Sequence, residues 1–172
     1  RLARSIGKQL MIDSTEIATA LYDPAFQEKM GYTKATMPCL FIPETYQVYW
    51  DISIEDFFAR MKKEHNKFWN EDRCLKAKTI GMTPEEVCTL ASIVEEETNN
   101  NDEKPMVAGL YINRLHTGMP LQADPTIKFA LQNFGLRRIT NENLKVDSPY
   151  NTYLYTGLPP GPIRIPSKKG ID

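Results

Sequence analysis

Apolar and polar positions along this chain recur with helical spacing over most of its length, and short polar side chains mark where the helical segments begin. Asp13-Ser14-Thr15-Glu16 sets a carboxylate three places beyond a capping residue and predicts a short helix to about Tyr22. Asp23-Pro24 predicts another, ended by Gly31, because glycine takes the left-handed turn at little cost. Ser53 through Asp56 predicts a longer one, with Phe57, Phe58, Met61, Phe68 and Trp69 on its apolar face and Lys62, Lys63, Glu64 and Lys67 in solvent. The clearest start is Thr83-Pro84-Glu85-Glu86: Thr83 caps, Pro84 loses no needed hydrogen bond at the first position, and Glu86 reaches back. This helix is expected to run to about Thr98. Asn99 through Asp102 then breaks it, and a second helix from about Pro105 to Thr117, closed by Gly118, completes a helical hairpin. Asp124-Pro125-Thr126 opens a further helix ending near Gly135.

Elsewhere the pattern changes. Cys39-Leu40-Phe41-Ile42-Pro43 and Glu44-Thr45-Tyr46-Gln47-Val48-Tyr49-Trp50 are rich in aromatic and β-branched residues and predict one or two short strands. Met119-Pro120-Leu121-Gln122-Ala123 is too short for a helix and predicts a strand or extended turn. Ser148-Pro149-Tyr150-Asn151-Thr152-Tyr153 and Gly157-Leu158-Pro159-Pro160-Gly161-Pro162 are so dense in turn formers that a long irregular C-terminal loop is expected. The expected fold class is therefore α+β, helix-rich with short strands.

Composition narrows the partners. With 172 residues, 41% hydrophobic and 25% charged, the chain suits one packed domain with a small appendage. A net charge of −1 argues against the basic footprint of nucleic-acid binding and against an anionic membrane surface. No apolar run approaches the ~20 residues that cross a bilayer, and Arg1-Leu2-Ala3-Arg4 is not a signal peptide, so a soluble piece of a longer protein is expected. Cys39, Cys74 and Cys88 are odd in number and scattered, which predicts buried or partly buried free thiols rather than a disulfide framework or zinc site. His65 and His116 lack partners at any catalytic spacing and are expected at the surface; no phosphate loop is present, and no cofactor or metal is expected.

The chemistry most open to discussion is Glu95-Glu96-Glu97, three carboxylates closing a helix whose preceding turns are nearly all apolar. Carboxylates are mildly unfavourable at a helix C-terminus, where the backbone dipole is negative, so another gain must hold them there or they are simply solvated. At about 100° per residue, Glu96 points away from the apolar stripe while Glu95 and Glu97 lie on its two borders. A border carboxyl that is partly desolvated beside like charges would hold its proton near neutrality and could act as a general acid. Helical geometry does not choose between Glu95 and Glu97. Asn113 and Arg114 interrupt the apolar pattern of the next helix and on their own read as surface residues, and Asp124 on its own reads first as a helix cap.

Several blocks together carry a resemblance. Leu90-Ala91-Ser92-Ile93-Val94-Glu95-Glu96-Glu97-Thr98 resembles the signature helix of the YceG-like (MltG) endolytic murein transglycosylases. Phe41-Ile42-Pro43-Glu44-Thr45-Tyr46, Tyr111-Ile112-Asn113-Arg114-Leu115, Leu121-Gln122-Ala123-Asp124-Pro125-Thr126, Ser148 to Tyr153 and Gly157 to Ile163 are similar to further blocks of that family, in its order, from about Leu40 to Pro166. Ile42 stands as an extra residue before the proline, Glu44 replaces the usual Asp or Asn, and Arg164-Ile165 departs near the end of the last block.

The resemblance implies that residues 37–172 form the catalytic domain and residues 1–36 a helical remnant of an N-terminal, LysM-like part. It implies Glu97 as the catalytic acid, with Glu95 the fallback, and Asn113, Arg114, Gln122, Asp124, Thr126, Tyr150, Asn151 and Tyr153 as substrate-binding residues. The implied substrate is the peptidoglycan glycan strand, cut between N-acetylmuramic acid and N-acetylglucosamine to leave a 1,6-anhydro end. The parent protein would be anchored in the bacterial cytoplasmic membrane by a segment outside these residues, facing the periplasm or cell wall beside cell-wall synthesis proteins. Hydrolytic muramidase activity on the same fold and a non-catalytic peptidoglycan-binding module are the alternatives. An aminodeoxychorismate lyase, a label once attached to this family, would need a pyridoxal-phosphate site that the sequence does not support.

Overall fold

Phe58 lies almost fully buried where several helices meet, and its surroundings explain the first half of the fold. Ser53 starts the helix that carries it by accepting a hydrogen bond from the Asp56 amide at 3.1 Å. Phe57, Phe58, Met61, His65 and Phe68 of that helix then face inward. Phe26 and Phe41 meet the Phe58 ring edge-on, with centroids 4.7 and 6.3 Å away, which sets ring edges against electron-rich faces. Ile12, Ile17 and Tyr32 join Met37, Leu40 and Phe57 in the same apolar cluster.

The structure, a computed structural model, describes residues 2–172. Its helices are α1 (Leu2–Gly7), α2 (Ser14–Tyr22), α3 (Pro24–Met30), α4 (Ile54–Phe68), α5 (Glu71–Thr79), α6 (Pro84–Glu97), α7 (Lys104–His116), α8 (Asp124–Ala130) and α9 (Lys168–Ile171), with 3-10 turns at Met37–Leu40 and Asn143–Lys145. Most starts follow local chemistry. Asp23 accepts from the Ala25 amide at 3.1 Å to open α3, and Gly31 closes that helix at φ 84°. Thr83 and Glu86 cap each other's amides at 3.2 and 2.8 Å to open α6. α5 falls where no helix is expected from periodicity. Asn70 caps it at 3.0 Å and acidic residues fill its first turn, but only Ala77 is buried, so it has no apolar stripe to announce it.

The α+β expectation is not met: among the described residues there is no strand, and the fold is helical with long irregular connections. Pro38 lies inside a 3-10 turn, and Leu40, Phe41 and Ile42 are buried consecutively rather than alternately, so this segment threads through the core instead of presenting one face. Beyond Pro43, which has no amide hydrogen, the chain reaches a distant segment through the Met11 amide and the Trp50 carbonyl at 2.9 Å, a contact to a helix-connecting loop and not to a parallel ladder. In the Met119 to Ala123 stretch, Gln122 adopts φ 53°, a left-handed conformation through which no strand passes. β-rich composition needs a paired neighbour to become a sheet, and these segments have none.

α6 runs through the middle of the molecule, buried from Cys88 to Glu95, and packs against α5, α7, α8, α9 and the Met37–Leu40 turn. Leu90, Ile93 and Val94 on it meet Tyr111, Leu121 and Ala123 in a second apolar cluster. The C-terminal segment straps across the same helix: the Ile163 amide donates to Ser92 Oγ at 3.0 Å, Lys168 pairs with Glu44, and Arg73 holds Asp172 with two contacts of 2.6 and 2.9 Å. His65 is not at the surface. It is buried, 3.1 Å from the Tyr32 hydroxyl, and burial pushes its imidazole below its ordinary pKa. Cys39 and Cys88 are buried free thiols, whereas Cys74 is exposed. Among the described residues, no helix is long and apolar enough to cross a membrane.

Candidate active site

The three carboxylates at the end of α6 have three different fates. Glu95 is buried, accepting from the Ser167 amide at 3.1 Å, from the Ser167 hydroxyl, and from Lys104 Nζ at 3.3 Å, with Arg164 Nε 3.8 Å away. Burial alone would raise its pKa, but the Ser167 hydrogen bonds and the Lys104 ammonium outweigh it and hold the carboxyl below its ordinary range. Gly170 makes this seat possible, since a side chain there would run into Glu95. Glu96 is exposed and paired with Arg164 Nη1 at 2.7 Å. Glu97 is also exposed, and its carboxylate meets the Tyr111 hydroxyl at 3.4 Å. These cations and donors are the gain that offsets an acidic helix C-terminus.

Partial desolvation, expected of the acting carboxyl, is thus found at Glu95 and not at Glu97. Yet a buried carboxylate fixed by an ammonium and two donors from one serine is a poor proton donor and has no free face. Glu97 keeps its carboxyl accessible, and its neighbours belong to the elements singled out from sequence. Tyr111 on α7 is buried, and burial followed by the Glu97 charge raises its pKa, so the hydroxyl stays neutral. Tyr153 donates to Asp124 Oδ1 at 2.5 Å. Burial, that hydrogen bond and the charges of Asp124 and Glu97 push Tyr153 up to about 12, while Arg114 pulls the other way. Arg114 likewise moderates Tyr111, and its Nη1 donates to the Leu121 carbonyl. Glu97, Tyr111, Arg114, Asp124 and Tyr153 therefore form one electrostatically coupled group drawn from α6, α7, α8 and the C-terminal loop.

Other predicted site residues sit around this group in different ways. Gln122 is exposed between buried Leu121 and Ala123; its strained backbone is held by its amide on the Thr152 carbonyl at 2.9 Å. Asn113 is exposed on α7. Tyr150 is half-buried, its ring 4.7 Å from that of Phe129. Thr126 and Asn151 are fully buried, with their polar atoms spent inside the protein. Thr126 Oγ1 donates to the Ala123 carbonyl at 2.7 Å and lies 2.9 Å from Thr152 Oγ1. Asn151 donates to the Leu144 and Val146 carbonyls at 2.9 and 2.7 Å and accepts from the Tyr153 and Leu154 amides at 3.0 and 3.3 Å. In the sequence Tyr111 stands out only as the first residue of the Tyr111 to Leu115 block, with no role assigned to it. A buried tyrosine whose hydroxyl must find a polar partner is the signal that points to it. A cavity of about 480 Å³ opens elsewhere, lined by α1, the 41–48 segment and α4, and Glu97 is not among its walls.

Comparison with known proteins gives a consistent picture. The model of the YceG-like family matches residues 1–172. The chain is 37% identical over 113 residues to the endolytic murein transglycosylase of Bacillus subtilis (strain 168), covering 66% of this chain and 31% of that protein. It is 33% identical over 138 residues to the endolytic murein transglycosylase of Streptococcus pneumoniae (serotype 2, strain D39), covering 76% of this chain and 24% of that one. A crystal structure of a YceG-like protein from Listeria monocytogenes superposes with a TM-score of 0.77 at 30% identity, over 98% of this chain and 60% of the other. The chain thus spans between about a quarter and a third of the length of the curated relatives it matches.

Proposed function

Because the chain belongs to the YceG-like family, we propose that it is the catalytic part of an endolytic murein transglycosylase, with Glu97 as its single acid and base. The observation that carries this reading is the separation of the carboxylates at the end of α6. Glu95 is locked by Ser167 and Lys104 and Glu96 by Arg164, which leaves Glu97 open beside Tyr111. The relatives' names supply the substrate, the glycan strand of peptidoglycan.

In this reading protonated Glu97 gives its hydrogen to the glycosidic oxygen as the bond from the muramic acid C1 breaks, the bonding pair leaving with that oxygen. Glu97, now a carboxylate, takes the proton from the muramic acid's own C6 hydroxyl as this oxygen closes onto C1. The acid is regenerated, a 1,6-anhydro end forms, and no water is consumed. One carboxyl serves both steps, so the paired carboxylates of a glycoside hydrolase, about 5 Å or 6.5–9.5 Å apart, are not required. In the same reading Arg114, Gln122, Asp124 and Tyr153 contact the sugars around Glu97, and Asn113 and Tyr150 contact sugars further along the strand. Buried Thr126 and Asn151 serve by holding the turn and loop that carry Gln122, Asp124 and Tyr153.

The test is incubation of purified glycan strands with the protein and with Glu97→Gln, followed by mass spectrometry of the new ends. Wild type is expected to yield ends without added water. Glu97→Gln should lose at least about 10²-fold in turnover while still binding strands. Unchanged turnover in the variant refutes the assignment of Glu97. Ends heavier by one water refute the lytic step and favour hydrolysis.

A further inference from the structure

Resting on the reading of Glu97 as the acid and base, we propose that Tyr111 is a positioning residue that decides which oxygen of that carboxyl carries the transferable hydrogen. The Tyr111 hydroxyl donates to Glu97 Oε2 at 3.4 Å, and such contacts are often long before substrate arrives. An oxygen that accepts this hydrogen bond is the carbonyl oxygen of the protonated acid, so the hydrogen resides on Oε1. The two oxygens of an exposed carboxyl are otherwise equivalent, and its three side-chain torsions are free to turn.

Tyr111 is suited to this because its ring is held in the core and its hydroxyl keeps its hydrogen. Its ring is sealed with Leu90, Ile93, Val94 and Leu121, so the hydroxyl is a fixed point on the packed face between α6 and α7. Burial, joined by the Glu97 charge whenever that carboxyl is ionised, keeps the hydroxyl neutral and so able to donate in both halves of the reaction. Arg114, one turn further along α7, donates Nη1 to the Leu121 carbonyl and holds the chain leading to Gln122. Tyr153 donates to Asp124. Tyr111 is the group whose hydroxyl is directed at Glu97.

Tyr111→Phe tests this, since it removes one oxygen and no carbon from the core. A hydrogen bond to a charged group corresponds to about 10–100-fold in rate. The expected result is kcat lower by about 10-fold or more, KM for glycan strands within about twofold of wild type, and an unchanged thermal midpoint. Wild-type kcat overturns the proposal. So does a fall in kcat accompanied by a raised KM and a lowered midpoint, the signature of a residue that only packs. Glu97→Gln, measured in parallel, separates the two ideas: full activity there sinks the acid assignment itself, whereas an inactive Glu97→Gln beside a fully active Tyr111→Phe sinks only the role of Tyr111.

Discussion

The aromatic hub around Phe58 and the loop face around Asn151 are equally sealed from water but are held by opposite means. Phe58 is surrounded by Phe26, Phe41 and Phe57, whose attraction depends on area and only loosely on angle. Asn151 is surrounded by backbone groups and meets them with four directed hydrogen bonds. Thr126, Thr152 and Ser92 extend that pattern toward α6 and α8. Apolar packing supplies stability and tolerates changes of shape. A buried polar lock supplies position and tolerates no loss of partner. Gln122, Asp124 and Tyr153 leave from elements fixed in the second way, whereas Glu97 and Tyr111 leave from helices packed through an apolar cluster.

The largest effect expected from breaking either region is at the hub. Phe58→Ala should cost about 3–5 kcal/mol in denaturant unfolding, from lost burial plus the cavity left behind. Turnover per folded molecule should stay unchanged. Asn151→Ala should cost less, about 2–3 kcal/mol, because relaxation and water can satisfy some of the backbone groups it abandons. Its effect on turnover per folded molecule should nonetheless be the larger, since Tyr153 loses its anchored amide and Asp124 its partner. If Asn151→Ala turns over strands as fast as Phe58→Ala when both are corrected for the folded fraction, the contrast between packing and positioning is broken.

What the sequence discloses divides along the same line. The Thr83 box, the Asp23-Pro24 start and the Gly31 stop are legible because each is settled within four residues. The supposed strands are not, because extended residues become a sheet only if a partner arrives, and Pro38, Pro43 and the left-handed Gln122 prevent it. The acidic end of α6 is half legible. Rotation about the helix places Glu95 and Glu97 on opposite borders, but which one is buried depends on Ser167 and Lys104, brought in by other elements. The resemblance offers Asn151 and Thr126 as substrate-binding residues, and the fold buries both with their polar atoms turned to its own backbone, a burial that depends on segments distant in sequence. Tyr111 is hidden for the converse reason, its ring belonging to the core and its hydroxyl to the site.

The smallest expected effect sharpens the distinction between Glu95 and its neighbours. Because the folded state holds Glu95 below its ordinary value of 4.5, the folded protein binds fewer protons there than the unfolded chain. The stability this contributes is fully present above that ordinary value and is lost as pH falls through the depressed folded value. Burial opposes the gain from Ser167 and Lys104, so the contribution should be only about 1 kcal/mol. Comparing wild type with Glu95→Gln by urea unfolding isolates it, since Asp13, Glu44 and Asp172, which also sit below their ordinary values, are common to both proteins. The wild-type advantage should be constant at neutral pH and shrink progressively once the solution is more acidic than about pH 4.5. An advantage that stays flat down to the acid limit would mean that Glu95 is not charged in its seat. It would then lose its standing as the locked carboxylate, and the argument for Glu97 as the open one would lose its counterpart.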